Sequence, residues 1–362
     1  MRVRVGVVGA VVGCFVGGLA GCAPGTSVAK AAPASASAVP APTGIGKEGA
    51  EKVFNQWTFE RRNALEVRDS EAIAKVEAGA LLEEDLAWMK VLREQRNDKG
   101  WPYVYRQPEA FIPADQQGYP RWFVVVSRGT SKPGDERAGA LHYFVQEGPG
   151  AGWKAAAISW VYDKPVRPGK PEDRSYEATG FEVRHKEIAA FGTDAAGALA
   201  LSPTAGEDRE VCGRYAEYMS FTAPNGEPES EEFVPGELTS EAVKAYNVAY
   251  EEDLDVVTKK YGFEVAGAEL PVVRLADGKS LVTCSFVRTD TWTGREASFQ
   301  YTSRAYEGVD VLLGGGHRWW LSTTVRRSVT VTFEVPAQGP ADVVGSGNAL
   351  SARPLSAEGT PK

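Results

Sequence analysis

Twice along this chain a helical pattern gives way to a series of short β-type segments, and that repeated order constrains the fold more than any other feature. In the first pass, residues 48–67 (EGAEKVFNQWTFERRNALEV) read as a helix with Val53, Trp57 and Leu65 toward a core. Asp69-Ser70-Glu71 can cap a second helical stretch that runs to Arg96 and breaks near Gly79. The segments Tyr103–Tyr105, Trp122–Ser127, Ala140–Val145 and Trp153–Val161 then read as antiparallel strands, each bounded by Gly, Pro or Asp. Gly148-Pro149-Gly150-Ala151-Gly152 supplies a hairpin connection between the last two.

The second pass begins after Phe233-Val234-Pro235-Gly236. Thr239 or Ser240 caps a predicted helix over residues 240–262, with Gly262 at its C-terminal end. Strands are expected over Pro271–Leu275, Ser280–Thr289, Ala297–Ser303 and Trp319–Val335, with Asp277-Gly278 as a hairpin turn. The intervening stretch holds one candidate strand, Tyr176–Val183, and a helix, Glu207–Ser220. The expected fold class is α+β, with two related domains, each placing N-terminal helices on a curved antiparallel sheet. The predicted boundaries are 47–165 for the first domain, 166–232 for an inter-domain segment and 233–336 for the second domain. Residues 337–362, rich in Gly, Ala, Ser and Pro, read as a disordered tail. A chain of 362 residues is long enough for two cores.

Ahead of this body stands an export signal. Arg2 and Arg4 precede an apolar run from Val5 to Leu19, and the run ends in Leu19-Ala20-Gly21-Cys22. About 15 apolar residues fall short of the roughly 20 needed to span a bilayer, so residues 1–21 read as a cleaved leader. The four residues form a lipobox, which makes Cys22 the lipidated first residue of the mature chain. Two or three acyl chains, palmitate among them, at about 0.8 kcal/mol per buried methylene, would hold a soluble body on a membrane. Residues 22–46 carry Ala, Pro and Ser with little charge and no aromatic residue, the composition of a partly extended tether.

The formal charge is −8, and losing Arg2 and Arg4 makes the mature chain more acidic still. That balance argues against nucleic acid as a partner and against adhesion to an anionic membrane surface. Of four cysteines, Cys14 leaves with the leader and Cys22 takes lipid. Cys212 and Cys284 remain, and in an oxidising compartment they are either a disulfide or two small core residues. No Cys-x-x-Cys or His-x-His spacing calls for a metal, and no cofactor is expected.

The chemistry-bearing residues form no catalytic pattern. His142, His185 and His317 lack partners at ligand spacing, and none belongs to a Gly-x-Ser-x-Gly elbow. Asp194, nine residues after His185, is too generic a partner to nominate. Consecutive acids at Glu83-Glu84-Asp85, Glu227–Glu232 and Glu251-Glu252-Asp253 read as solvated faces, because neighbours on a helix point in different directions. Gly314-Gly315-Gly316 follows Val311-Leu312-Leu313 and enters another strand, so it reads as a hairpin turn and not as a phosphate loop. Nine tryptophans are many; they serve either as core filling or as the wall of a site for an apolar or sugar-like ligand. Adjacent Trp319 and Trp320 must face opposite sides of a strand.

In element order, each half resembles the nuclear-transport-factor-like, or cystatin-like, cone fold. The assembled string is similar to that of actinobacterial cell-envelope lipoproteins carrying a domain of unknown function. It consists of the lipobox, the Ala/Pro tether, Pro120-Arg121-Trp122-Phe123, Arg214-Tyr215-Ala216-Glu217-Tyr218 and Phe233-x-Pro235-Gly236-x-Leu238-Thr239. The resemblance implies no catalytic or binding residue. The expected protein is anchored to the cell membrane through Cys22 on the extracytoplasmic face. Its expected role is a non-enzymatic binding module for an envelope protein or glycan, and the alternative is an enzyme with an acid–base site in a cone pocket.

Overall fold

A computed structural model describes residues 44–95, 104–114, 116–130, 138–162, 190–251, 257–267, 269–296, 298–301, 307–316, 318–347 and 353–362. Cys22, residues 22–43 of the tether, His185, His317 and the strand expected over 176–183 lie outside those residues. Three helices come first: α1 (Lys47–Val67), α2 (Ser70–Val76) and α3 (Gly79–Glu94). The apolar stripe of α1 buries Ala50, Phe54, Trp57, Ala64 and Leu65, while Val53 stays half-buried. Arg68 closes that helix in the left-handed region. Asp69 then caps α2, its carboxylate accepting from the backbone N–H groups of Glu71 and Ala72. Gly79, at φ +56°, makes the turn into α3 that a side chain would strain.

Strands β1 (Val104–Phe111), β2 (Arg121–Thr130), β3 (Ala138–Gln146) and β4 (Lys154–Tyr162) follow as an antiparallel meander. After α4 (Ala205–Tyr218), β5 (Phe221–Thr222) and α5 (Ser240–Glu251) come β6 (Val257–Ala266), β7 (Val273–Arg274) and β8 (Ser280–Gly294). The chain ends with α6 (Glu307–Leu312), β9 (Trp320–Val335), β10 (Asp342–Ser346) and β11 (Pro354–Pro361). All eleven strands join one mixed-length antiparallel sheet in the order β1-β2-β3-β4-β10-β9-β8-β6-β5, with β11 on β9 and β7 on β8. Residues 42–362 form one compact unit. A single sheet thus runs through both stretches that the helix-then-strand repeat divides into domains. Strand β10 is the joint, pairing Ser346 with Trp160 of β4 on one side and with Val331 of β9 on the other.

Strand alternation sorts the core. Even-numbered side chains of β3 face α1, where the Phe54 ring lies 4.9 Å from His142 and Trp57 lies 5.6 Å from Phe144. Odd-numbered Leu141, Tyr143 and Val145 turn to the other side and share a core with Val273, Leu275 and Leu281. There a line of hydroxyls crosses between the halves: Tyr143 to Thr283 at 2.6 Å, Thr283 to Thr332 at 2.8 Å and Thr332 to Ser159 at 2.7 Å. Val282, Cys284 and Phe286 of β8 face a third cluster with Val211, Tyr215 and Met219 of the α4 region and Val243 and Tyr246 of α5.

Four local expectations are corrected. The helix starting at Ser240 ends at Glu251, and Gly262 sits mid-strand in β6 opposite Thr289. Val257, Lys259, Tyr261 and Phe263 are buried with period two, so strand alternation prevails there over the helical pattern. Val311-Leu312 belongs to α6, and Gly314–Gly316 run at φ between +70° and +97° after it. Of the strand expected over Ala297–Ser303, residues 298–301 are described, and among them Phe299 alone bridges, to Trp320. The segment read as a disordered tail contains β10 and β11. Its glycines are fitted to close contact: a Cβ on Gly345 would lie 2.8 Å from the Trp160 carbonyl oxygen, and one on Gly347 2.6 Å from that of Ile158.

Candidate functional site

A charged side chain on the apolar stripe of a helix needs a partner, because desolvation without one is prohibitive. Arg61 occupies such a position on α1, and Glu84 and Asp85 occupy the stripe of α3 with Leu81, Met89 and Leu92. The three meet under the sheet together with Glu77, which follows α2, and Arg353, which precedes β11.

Arg61 is the hub. Its Nε donates to Glu77 Oε1 at 2.7 Å and to Asp85 Oδ2 at 3.0 Å, and its Nη2 donates to Asp85 Oδ2 at 2.6 Å. Burial pulls the guanidinium down, but Asp85 and Glu77 outweigh it and hold the group firmly charged. Arg353 reaches the far side of the carboxylate, Nη1 to Asp85 Oδ1 at 3.0 Å and to Glu84 Oε1 at 3.3 Å. Its guanidinium also lies 5.2 Å from the Trp88 ring centroid. Trp57 Nε1 donates to Glu77 Oε1 at 3.4 Å. Glu77 is fully buried, and its Oε2 has no hydrogen-bond partner among the described residues. Burial, reinforced by Asp85, pushes its carboxyl well above the ordinary range. Burial also raises Glu84, against the pull of Arg353.

Above this cluster, Tyr105 stacks between Trp57 and Trp160, 5.8 Å from each. A cavity of about 30 Å³ adjoins, lined in part by Arg61, Glu84, Tyr105, Trp160 and Arg353. That volume houses a water molecule and is far below the room a metabolite occupies. On the sheet beside it, Ser127 Oγ and His142 Nε2 are 2.8 Å apart. Both residues are buried, and burial together with the charge of Arg61 holds His142 well below its ordinary value, hence neutral. A serine nucleophile needs a histidine oriented by an acid and open to substrate. His142 Nδ1 has no partner among the described residues, and the pair is sealed beneath α1. Its geometry is that of a buried polar contact.

The family model described as a domain of unknown function, DUF8094, matches residues 40–353. The chain belongs to that family. One family unit therefore covers both helix-then-strand passes, in keeping with the single sheet, and holds every member of the buried cluster from Arg61 to Arg353. No curated protein matches the chain.

Other residues singled out in the sequence are placed as follows. Cys212 of α4 and Cys284 of β8 are joined in a disulfide, Cα to Cα 5.8 Å. Glu84 and Asp85 are buried, which corrects their reading as part of a solvated face, while Glu83 is exposed. Glu227, Glu229, Glu231 and Glu232 are exposed. Asp194 accepts from the backbone N–H groups of Ala196 and Ala198 and so orders its own turn. Trp320 is 4% exposed and Trp319 53%, split between core and solvent as strand alternation requires. Among the described residues, no three His, Cys, Asp or Glu side chains are grouped to hold a metal, and no helix is long and apolar enough to cross a membrane. Sequence pattern by itself does not single out Arg61 or Glu77. For Arg61, the readable signal was a charge at helical spacing within the stripe of Phe54, Trp57 and Leu65.

Proposed function

We propose that this chain is a lipid-anchored, extracytoplasmic envelope protein whose body binds a partner and does not turn over a substrate. The observation that carries the reading is the Cys212–Cys284 disulfide, since such bonds persist in oxidising compartments. It supports export independently of the leader and of Leu19-Ala20-Gly21-Cys22. In this reading Cys22 takes the lipid, and residues 22–46 let the acidic body stand off the membrane. The helices-then-strands order of α1–α3 with β1–β4, and of α5 with β6–β9, supports treating the halves as related, cone-like lobes on a shared sheet.

Binding is favoured over catalysis because the titratable cluster is buried and its cavity is water-sized. Trp319 and Leu321, both exposed near the start of β9, suit an envelope protein or glycan partner. Membrane fractionation tests the anchor: Cys22→Ala should move the folded protein to the soluble fraction and abolish palmitate labelling. Retention of that variant on membranes after a salt wash would refute the anchor. Turnover by the purified protein in a hydrolase panel would refute the binding role.

A further inference from the structure

Glu77 sits fully buried against β4, where it bridges Ala155. Among the described residues the titratable groups around it are Arg61 on α1, Glu84 and Asp85 on α3, Tyr105 on β1, neutral His142 on β3 and Arg353 ahead of β11. Lys154 of β4 is committed elsewhere, its Nζ donating to the Ala74 carbonyl at 2.8 Å. Among the described residues, three carboxyl groups of the cluster thus face two guanidiniums. Asp85 accepts from Arg61 through Oδ2 and from Arg353 through Oδ1, and Glu84 meets Arg353. Glu77 takes both of its donors, Arg61 and Trp57, on Oε1 and leaves Oε2 unmatched. Ionising all three acids would bury a surplus negative charge on the group whose second oxygen has no donor. A proton on that oxygen removes the surplus and leaves Oε1 free to accept as before.

We infer that Glu77 holds a proton in the folded protein, and that the cluster is a pH-sensitive clasp binding α1, α3 and the Arg353 segment together. Loss of the proton sets Glu77 against Asp85 and Glu84 and loosens the clasp. Unfolded, Glu77 titrates near the ordinary value of 4.5; folded, it is raised by burial first and by Asp85 second. Between those two values the folded state binds a proton that the unfolded state lacks. The stabilisation is therefore complete below the ordinary value and is lost as pH rises toward the folded one. Across that window the contribution of Glu77 to the folding constant falls by up to about tenfold per pH unit, while buried His142, held neutral in the fold, contributes in the opposite sense below its ordinary value of 6.5.

The test is urea unfolding of the full chain and of its Glu77→Gln and Glu84→Gln variants from about pH 5 to about pH 8. A glutamine mimics the protonated acid. Glu77→Gln should match the wild type at the acid end and resist more urea at the alkaline end, so that its advantage over the wild type grows with pH. Glu84, raised by burial to a lesser degree, contributes in the same sense, so Glu84→Gln should gain less at the alkaline end than Glu77→Gln. A Glu77→Gln protein weaker than wild type throughout, or unable to fold, would mean that Glu77 serves as an ionised partner of Arg61. An alkaline gain from Glu84→Gln alone would move the proton to Glu84. Infrared spectra decide independently: the wild type should show a protonated carboxyl band at neutral pH that Glu77→Gln removes, and absence of the band, or its survival in that variant, overturns the inference.

Discussion

The two halves of the sheet each bury a cluster of charges, and they solve the problem in opposite ways. In the C-terminal half, Arg288, Asp290 and Arg327 lie on neighbouring strands. Arg288 donates to both oxygens of Asp290 at 2.7 Å, Arg327 Nε donates to Oδ2 at 2.8 Å, and Arg288 Nη1 donates to the Tyr246 hydroxyl at 2.7 Å. The register that pairs Arg288 with Arg327 delivers all three ions once β8 and β9 zip together. In the N-terminal half, the members come from α1, the α2–α3 junction, α3 and a segment nearly three hundred residues further on. Cations outnumber acids in the first group, and acids outnumber cations in the second. Burial pushes both Asp290 and Glu77 upward. Arg288 and Arg327 outweigh that push and hold Asp290 below its ordinary value, whereas Arg61 fails to do so for Glu77. A local cluster can be ionised and saturated; one assembled from distant parts retains a mismatch that a proton repairs.

The contrast is most exposed to Asp290→Asn, which removes the shared carboxylate from two buried guanidiniums. About 3–5 kcal/mol should be lost in chemical denaturation. A loss below about 1 kcal/mol would erase the distinction between the clusters. The pH signatures should also oppose one another. Asp290, held low in the fold, contributes stability above its unfolded value near 3.8 that is lost as acid titrates it, while Glu77 weakens the fold as pH rises. Replacing both Cys212 and Cys284 by Ala should cost about 2–4 kcal/mol for a loop of this length, and hydrogen exchange should quicken first around α4 and β8. Gly345→Val drives a side chain into the Trp160 carbonyl at the joint between the halves; about 1–3 kcal/mol is expected, with exchange rising in β4 and β10. Trp319→Ala should change stability by less than about 0.5 kcal/mol while weakening capture of an envelope partner.

Much of the scaffold was legible because local chemistry and tertiary structure agree. Asp69 caps where its side chain suggests, and β2 and β3 follow their runs of Val, Phe and Tyr. Legibility failed where a residue's role depends on distant parts of the chain. Glycines at 345 and 347 read as slack because their composition is that of a tether, yet they are small so that β4 and β9 can approach. Glu84 and Asp85 read as solvent-facing because the Arg61 they answer lies on another helix. The end of α5 is ambiguous in the sequence because Val257–Val265 satisfies a helical stripe and a strand alternation alike, and pairing with β8 decides between them. The family match runs through β10 to Arg353 and so places that strand in the same unit, a stretch whose composition alone reads as a tail.

Strand β10 has a consequence in time. A chain emerges from its N-terminus, so α1–α3 and β1–β4 are made long before residues 342–346 and before Arg353. Until those late residues arrive, β4 lacks its outer neighbour and the buried acids lack one of their two cations. Contacts of such sequence separation are slow to form. The edge of β4 and the charge cluster of the first half are therefore completed only by residues 342–353.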